Sequence, residues 1–214
     1  MLNFEPYNLK DFEIFNNPKS FDFSVWIPDK TYVVLGRSNT LEQSVNINNV
    51  VRDNISVLKR PSGGEAVILS PKTIVISLKF NISDVLTTHL YFRKINQKII
   101  DALRSVDVKD LKMKGISDIS IGVKKILGSS IYRKNNTVFY HAVLNVSESS
   151  DTLETYLSYP KREPDYRQGR KHKNFVTSLF HESYNIDISK IISALKLNLV
   201  KLDKKLELYS QANI

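Results

Sequence analysis

The chain contains no cysteine. That absence excludes disulfide bridges, thiolate metal sites and a cysteine nucleophile. No apolar run approaches the ~18–20 residues that a membrane-spanning helix needs. The opening Met1-Leu-Asn-Phe-Glu-Pro6 carries neither the basic nor the apolar stretch of a secretory signal, so a cytoplasmic protein without a membrane partner is expected. There is no internal repeat and no low-complexity linker. The phosphate-loop pattern G-x-x-x-x-G-K-[ST] is missing. So are an aromatic-interleaved RNA-binding signature and a helix-turn-helix, which leaves net charge as the sole argument for a nucleic-acid partner, and none is expected. Glycine is scarce, 7 in 214 residues, yet two stand side by side at Gly63-Gly64.

What is present is ordinary for a folded domain: 42% hydrophobic and 25% charged residues. The length suits one domain, residues 1–214, with its core at about residues 20–200. The net charge of +9 favours an anionic partner: nucleic acid, a phosphorylated small molecule or an acidic protein. The basic excess gathers at 109–134 and 161–173, where the plainest reading is a solvated surface.

Alternation and β-branched runs predict strands at 21–26, 31–36, 55–58, 65–69, 73–80 and 137–146. A hairpin is predicted from 116–121 and 124–127 about Gly122-Val123. Leu86, Leu90, Ile95, Ile99, Ile100 and Leu103 recur at helical spacing and predict the strongest helix, over 85–106. Phe12, Ile14 and Phe15 suit a short helix or an irregular packed segment. A short helix or turn is expected at 46–53, helical stretches at 151–157, 175–180 and 186–199, and a helix-prone tail from Lys201. Strands follow strands too often for a doubly wound parallel sheet. The expected class is α+β (mixed α/β), with largely antiparallel or mixed sheets flanked by helices.

The glycine pair lies in Lys59-Arg-Pro-Ser-Gly-Gly-Glu-Ala-Val67. Two readings are open from spacing alone: a tight turn needing positive φ, or a close backbone approach to an anion beside two cations. Other elements accompany it in order: Trp26-Ile-Pro28, Val33-Val-Leu-Gly-Arg37, Asn46, Ser77, Gly115-Ile-Ser-Asp118, Lys124-Lys-Ile-Leu-Gly-Ser129 and Tyr140-His-Ala-Val-Leu144. Together they resemble the lipoate–protein ligase family, within the wider biotin/lipoate protein ligase group, over roughly residues 20–180.

The resemblance implies a ligase-type acyltransferase with a biotin/lipoate ligase-like catalytic fold. It would join lipoate or octanoate to a lysine of a lipoyl acceptor domain through an acyl-adenylate. ATP, Mg²⁺ and lipoate are the implied cofactors and substrates. The implied acceptor is a 2-oxoacid dehydrogenase lipoyl domain or a glycine-cleavage H-type protein. Lys125, directly before Ile126-Leu-Gly128-Ser129, matches the family's essential lysine, and would stabilise charge growing on oxygen. Arg60, Ser62, Gly63, Gly64 and Ala66 would lie along the acyl group or adenylate, with Arg60 facing an anionic part. Asp118 would hold nucleotide or metal, and Gly128, Ser129 and His141 would complete the binding set. His141 also reads as a plain core histidine on a strand. The stretch Tyr166-Arg167-Gln-Gly-Arg170-Lys-His172 suggests a docking surface for an acidic acceptor through Arg167, Arg170 and His172, or else a solvated basic loop.

Three departures from the family pattern stand out. Glu65 replaces the third glycine of the loop, and alternation would let it face away while Ala66 faces the ligand. Ser117 replaces an asparagine before Asp118. No C-terminal accessory domain is expected, so the alternatives are a transferase using preformed lipoyl-AMP, a chain needing a separate accessory protein, or a non-catalytic binder of acyl groups.

Overall fold

The computed structural model describes residues 2–82 and 88–202. The architecture is α+β, built on two sheets. The large sheet has six antiparallel strands. In spatial order they are β2 (Phe21–Trp26), β6 (Thr73–Asn81), β10 (Thr137–Asn145), β9 (Lys124–Lys134), β8 (Asp118–Ile121) and β7 (Leu111–Lys114). The small sheet has four: β1 (Glu5–Pro6), β4 (Ser56–Lys59), β3 (Tyr32–Leu35) and β5 (Val67–Leu69). β3 runs parallel to β4 and antiparallel to β5. The parallel pair requires a crossover, and the short helices α2 (Leu41–Ser44) and α3 (Ile47–Arg52) supply it.

Strand β6 shows why its sequence is apolar at nearly every position. Ile74, Ile76, Leu78 and Phe80 face one way, into the main core with α4 (Thr88–Arg104) and α7 (Ile188–Leu199). Val75 faces the other way and packs with Trp26, Tyr32, Val34, Leu58 and Leu69 between the sheets. Ser77, on that second face, donates to Asp11 at 2.6 Å, and Tyr7 donates to the other Asp11 oxygen at 2.7 Å. The segment around α1 (Phe12–Asn16) is thereby fastened across the sheet. Burial raises the pKa of Asp11, ahead of the opposing hydrogen bonds from Ser77 and Tyr7.

Helix α4 buries Ile95, Ile99 and Leu103 completely, one turn apart, as the 3.6-residue period requires. Ile99→Ala is expected to cost roughly 2–5 kcal/mol, the usual range for an isoleucine truncated without relief. A chemical denaturation curve checks this. A loss below 1 kcal/mol, on the order of a surface change, would show that α4 is not held by this stripe.

Several elements differ from the sequence expectation. The segment 175–180 is not a helix. Only α6 (His172–Phe175) is helical there, after which Val176 bridges Lys125 and Thr177 N donates to Lys125 O at 2.9 Å. Two β-branched residues favour that extended path, and Ser178 accepts from His181 N to turn the chain. Strand β5 starts at Val67, because Arg60 Nη2 takes the Glu65 carbonyl at 2.9 Å. Strand β9 continues to Lys134, past the expected end at residue 127, and β7 pairs ahead of β8 through a turn at Gly115. Leu86 and most of the tail from Lys201 lie outside the described residues. Among the described residues no helix is long and apolar enough to cross a membrane.

Candidate active site

The β8–β9 pairing decides where Lys125 points. Asp118 pairs with Gly128 and Ile119 with Leu127, but Ser120 pairs with Lys125, so Ile126 is the extra residue of a bulge. In an unbulged ladder Lys125 would share the face of Ile119 and Ile121, which is core. The bulge turns it onto the face of Asp118 instead. Lys125 Nζ then meets Asp118 Oδ1 at 2.9 Å. The lysine crosses directly over Gly128: a Cβ there would stand 2.6 Å from Nζ and 2.7 Å from Cε. The spacing Lys125-Ile-Leu-Gly128 is thus explained by the path of the lysine. Gly128→Ala is expected to displace the ammonium and lower turnover by roughly 10²-fold, as a misplacement of about 1 Å does. A melting curve run alongside the steady-state assay separates displacement from unfolding, and unchanged turnover would refute this path.

Asp118 is 5% exposed. Its second oxygen accepts from the Tyr166 hydroxyl at 2.8 Å. Both carboxylate oxygens are therefore engaged by the chain itself. Among the described residues no group of three or more histidine or carboxylate side chains converges on a metal position. A metal at Asp118 would therefore draw most of its ligands from the substrate and water. Its geometry is that of a bridge from Lys125 to Tyr166.

On the adjoining strands, Ser24, Ser77, His141 and Ser130 stand in one row across the large sheet. Ser62 drops onto this row. Its Oγ shares a 2.5 Å hydrogen bond with His141 Nε2, lies 3.1 Å from Ser130 Oγ and accepts from Arg60 Nε at 3.0 Å. Arg60 is buried and spends its other donors on the carbonyls of Val34, Gly63 and Glu65. The guanidinium braces the loop from within and has little left to offer an external anion. Burial pushes the Arg60 pKa down to about 10. Gly64 takes φ +90°, the left-handed backbone that glycine permits, and its carbonyl would lie 1.9 Å from a Cβ on Gly36. The loop therefore closes against the end of β3 only because both positions lack side chains. Asn39 secures the junction: its Oδ1 accepts from Gly36 N at 2.8 Å and its Nδ2 donates to Glu65 Oε2 at 3.3 Å. Glu65 stays on the cavity side, held by Asn39, and does not turn away as alternation suggested.

Burial, with the Arg60 charge behind it, pushes His141 down to about 3. An unfolded imidazole titrates near 6.5. Unfolded chains therefore take a proton that the folded site refuses. Stability falls as pH drops below the unfolded value, and the loss saturates below the folded one. Between pH 6.5 and 5 this costs about 2 kcal/mol. Unfolding curves at pH 7 and pH 5 should show His141→Gln losing less stability than wild type by about that amount. Equal losses would remove His141 from the acid response.

Lys125, Asp118, Gly128, Ser129, His141, Gly64 and Ala66 all border one cavity of about 640 Å³. An apolar wall of Val34, Val67, Leu69, Val75 and Val143 faces them, part of the cluster between the sheets. Arg167 closes another side. It is 4% exposed, stacked between Tyr159 and Phe175 at 4.7 and 4.8 Å, and its Nη2 has no hydrogen-bond partner among the described residues. That burial corrects the docking-surface expectation for Arg167. Arg170 is half-buried and donates to the carbonyls of Tyr166 at 2.6 Å and Arg167 at 2.9 Å, so it pins its own loop. His172 also borders the cavity, pushed down to about 4 by burial and then by Arg167.

The chain matches the family model "Lipoyl protein ligase A/B catalytic domain" over residues 9–200. The chain belongs to this family. Lipoate–protein ligase 1 of Staphylococcus aureus is 27% identical over 156 residues, which is 73% of this chain and 45% of that protein. The chain thus spans about half the length of the curated relatives it matches. The fold agrees with a Thermoplasma acidophilum structure described as a bi-partite lipoate protein ligase and its E2 lipoyl domain. That match has a TM-score of 0.75 at 20% identity, covering 89% of this chain and 74% of the other. It agrees equally with lipoate–protein ligase A bound with ATP, at a TM-score of 0.72, 20% identity and 89% and 75% coverage.

Within this ligase family member the remaining expected residues are placed as follows. Gly63 is exposed with nothing near its missing Cβ. Ser129 donates its hydroxyl to the Ser117 carbonyl at 2.6 Å, tying the Gly115 turn to β9. Lys124 is on the surface, 3.6 Å from Glu182. Sequence reasoning missed Tyr166 and Asn39 as site residues. Tyr166 stood inside a quoted stretch and Asn39 two residues past one, but their partners lie 48 and 26 residues away in sequence.

Proposed function

We propose that this chain activates lipoate or octanoate with ATP and transfers the acyl group to a lysine of a lipoyl acceptor domain. One observation carries the reading: a single cavity is bordered by Lys125 and Arg167 and by a contiguous apolar wall. The apolar wall suits an eight-carbon chain, worth about 0.8 kcal/mol per buried CH₂.

In the first step a carboxylate oxygen of the acyl substrate bonds to the α-phosphorus of ATP, and pyrophosphate leaves with the electron pair. In the second, the acceptor amine attacks the acyl carbon, the bond to the phosphate oxygen breaks, AMP leaves, and the amine loses a proton. Lys125 stabilises the negative charge that grows on oxygen in both steps. Arg167, at the cavity edge, adds positive charge that favours the adenylate phosphate. Ser62, His141 and Arg60 keep the loop rigid, with His141 neutral at working pH. Magnesium would enter with the nucleotide phosphates, with Asp118 the one expected protein carboxylate beside it. The 2-oxoacid dehydrogenase lipoyl domain and the H-type protein are the acceptors to try.

A second reading has support of its own. A Thermoplasma acidophilum relative, 25% identical over 137 residues, is named lipoate-protein ligase A subunit 1. In that reading the chain works with a separate accessory subunit, or transfers from preformed lipoyl-AMP. The deciding assay supplies acceptor domain with lipoate, ATP and magnesium, beside synthetic lipoyl-AMP, and reads acceptor mass. Modification from lipoate and ATP is expected. Modification from the adenylate alone selects the second reading, and none from either overturns both.

A further inference from the structure

On the outer side of the Ser62-Gly63 loop lies a second pocket of about 460 Å³. Arg37, Arg133 and Arg162 line it, brought together from the turn after β3, from β9 and from the basic loop. Tyr132 and Ile131 complete a wall, and no carboxylate lines the pocket. Among the described residues none of the three arginines is in an ion pair. Arg37 and Arg162 also make no side-chain hydrogen bond there, and Arg133 makes one, 3.3 Å long, to the Asn135 carbonyl. Ser38 and Arg162 border both this pocket and the main cavity, so the two adjoin.

Three like charges facing one hollow without an acid repel one another, and a polyanion relieves that repulsion. A guanidinium offers paired N–H donors in the fork that phosphate oxygens accept. The pocket has the volume of a small-molecule site. Those shared residues put a phosphate chain bound here beside the cavity in which an adenylate would form.

We propose that Arg37, Arg133 and Arg162 bind the β- and γ-phosphates of the nucleotide and hold the pyrophosphate as it leaves. The proposal rests on the acyl-adenylate reading above for its role in turnover. It makes the arginines specific to activation, with no part in transfer from a finished adenylate.

The test separates the two half-reactions. Arg37→Gln, Arg133→Gln and the double variant change exposed side chains and leave the core untouched. Each single change is expected to weaken inorganic pyrophosphate binding, measured by calorimetric titration, by roughly tenfold, the worth of one charge-assisted hydrogen bond. Lipoate-dependent exchange of labelled pyrophosphate into ATP falls with it. Transfer from synthetic lipoyl-AMP to the acceptor stays within about twofold, as for a distant surface change. Pyrophosphate affinity unchanged in the double variant overturns the proposal. So does a loss of transfer from lipoyl-AMP as large as the loss of exchange, which would make the groove an acceptor-docking surface. A wild-type protein that binds pyrophosphate through these arginines, yet exchanges none, retains the pocket and sinks only the activation reading. Wild-type protein that binds no pyrophosphate sinks the pocket itself.

Discussion

Lys125→Ala is expected to abolish acyl transfer while the protein stays folded. Lys125 carries its charge on a flexible stem that crosses Gly128 into the cavity, and its side chain is 28% exposed. Removing it takes nothing from the core. The bulge that aims it is made by backbone pairing with β8 and survives the change. In the proposed mechanism, what is lost is the ammonium that would stabilise the growing negative charge on oxygen. Removing a single such donor costs roughly 10²–10³-fold in turnover, and a full positive charge sets the upper end of that range. Lys125→Arg should not restore it, because a guanidinium is broader than the gap over Gly128 and donates as a plane, not a point. Single-turnover transfer from lipoyl-AMP, with acceptor mass as readout, isolates the step. Circular dichroism and melting temperature should match wild type. Wild-type turnover in Lys125→Ala would remove the lysine from the chemistry.

Much of the fold was legible because the local and global signals agree. β6 and β10 read as apolar runs, since each is covered on both faces, and α4 carries one stripe at a helical period. The 175–180 stretch misled because Phe175, Leu179 and Phe180 mimic helical spacing while Val176 and Thr177 favour extension. The candidate site was legible where it was carried by short contiguous motifs: Lys125-Ile-Leu-Gly128, the Gly63-Gly64 pair and His141. It was not legible where a contact depends on a register or on a carbonyl. Without the bulge, Lys125 would sit on the core face, and no residue type announces a bulge at Ile126. Arg60 looked like an anion contact because its charge is visible in sequence, whereas the Val34 carbonyl that absorbs one of its donors is not. Arg167 and Arg170 looked like a docking surface for the same reason. Two aromatic rings and a set of backbone carbonyls turned them inward.

Asp118→Asn should be the second most damaging change in the cavity, and Tyr166→Phe a weaker copy of it. Asp118 holds the lysine at 2.9 Å through one oxygen and is itself held at 2.8 Å by Tyr166 through the other. The chain of contacts therefore joins the loop that carries Arg167 to the reacting end of Lys125. Asparagine keeps the shape but gives up the charge, so the ammonium is free to leave its place over Gly128. A shift of that kind costs roughly 10²-fold in turnover. Phenylalanine removes one hydroxyl and lets the carboxylate rotate, a loss of about tenfold, the worth of a single hydrogen bond to a charged group. Both losses should fall on kcat, with KM for ATP and for lipoate little changed, because neither residue is placed to grip those substrates. The split distinguishes this role from the metal-holding one. An Asp118→Asn variant that kept kcat and needed far more magnesium-ATP would return Asp118 to the nucleotide, and the lysine would then have to be positioned by the Gly128 gap alone.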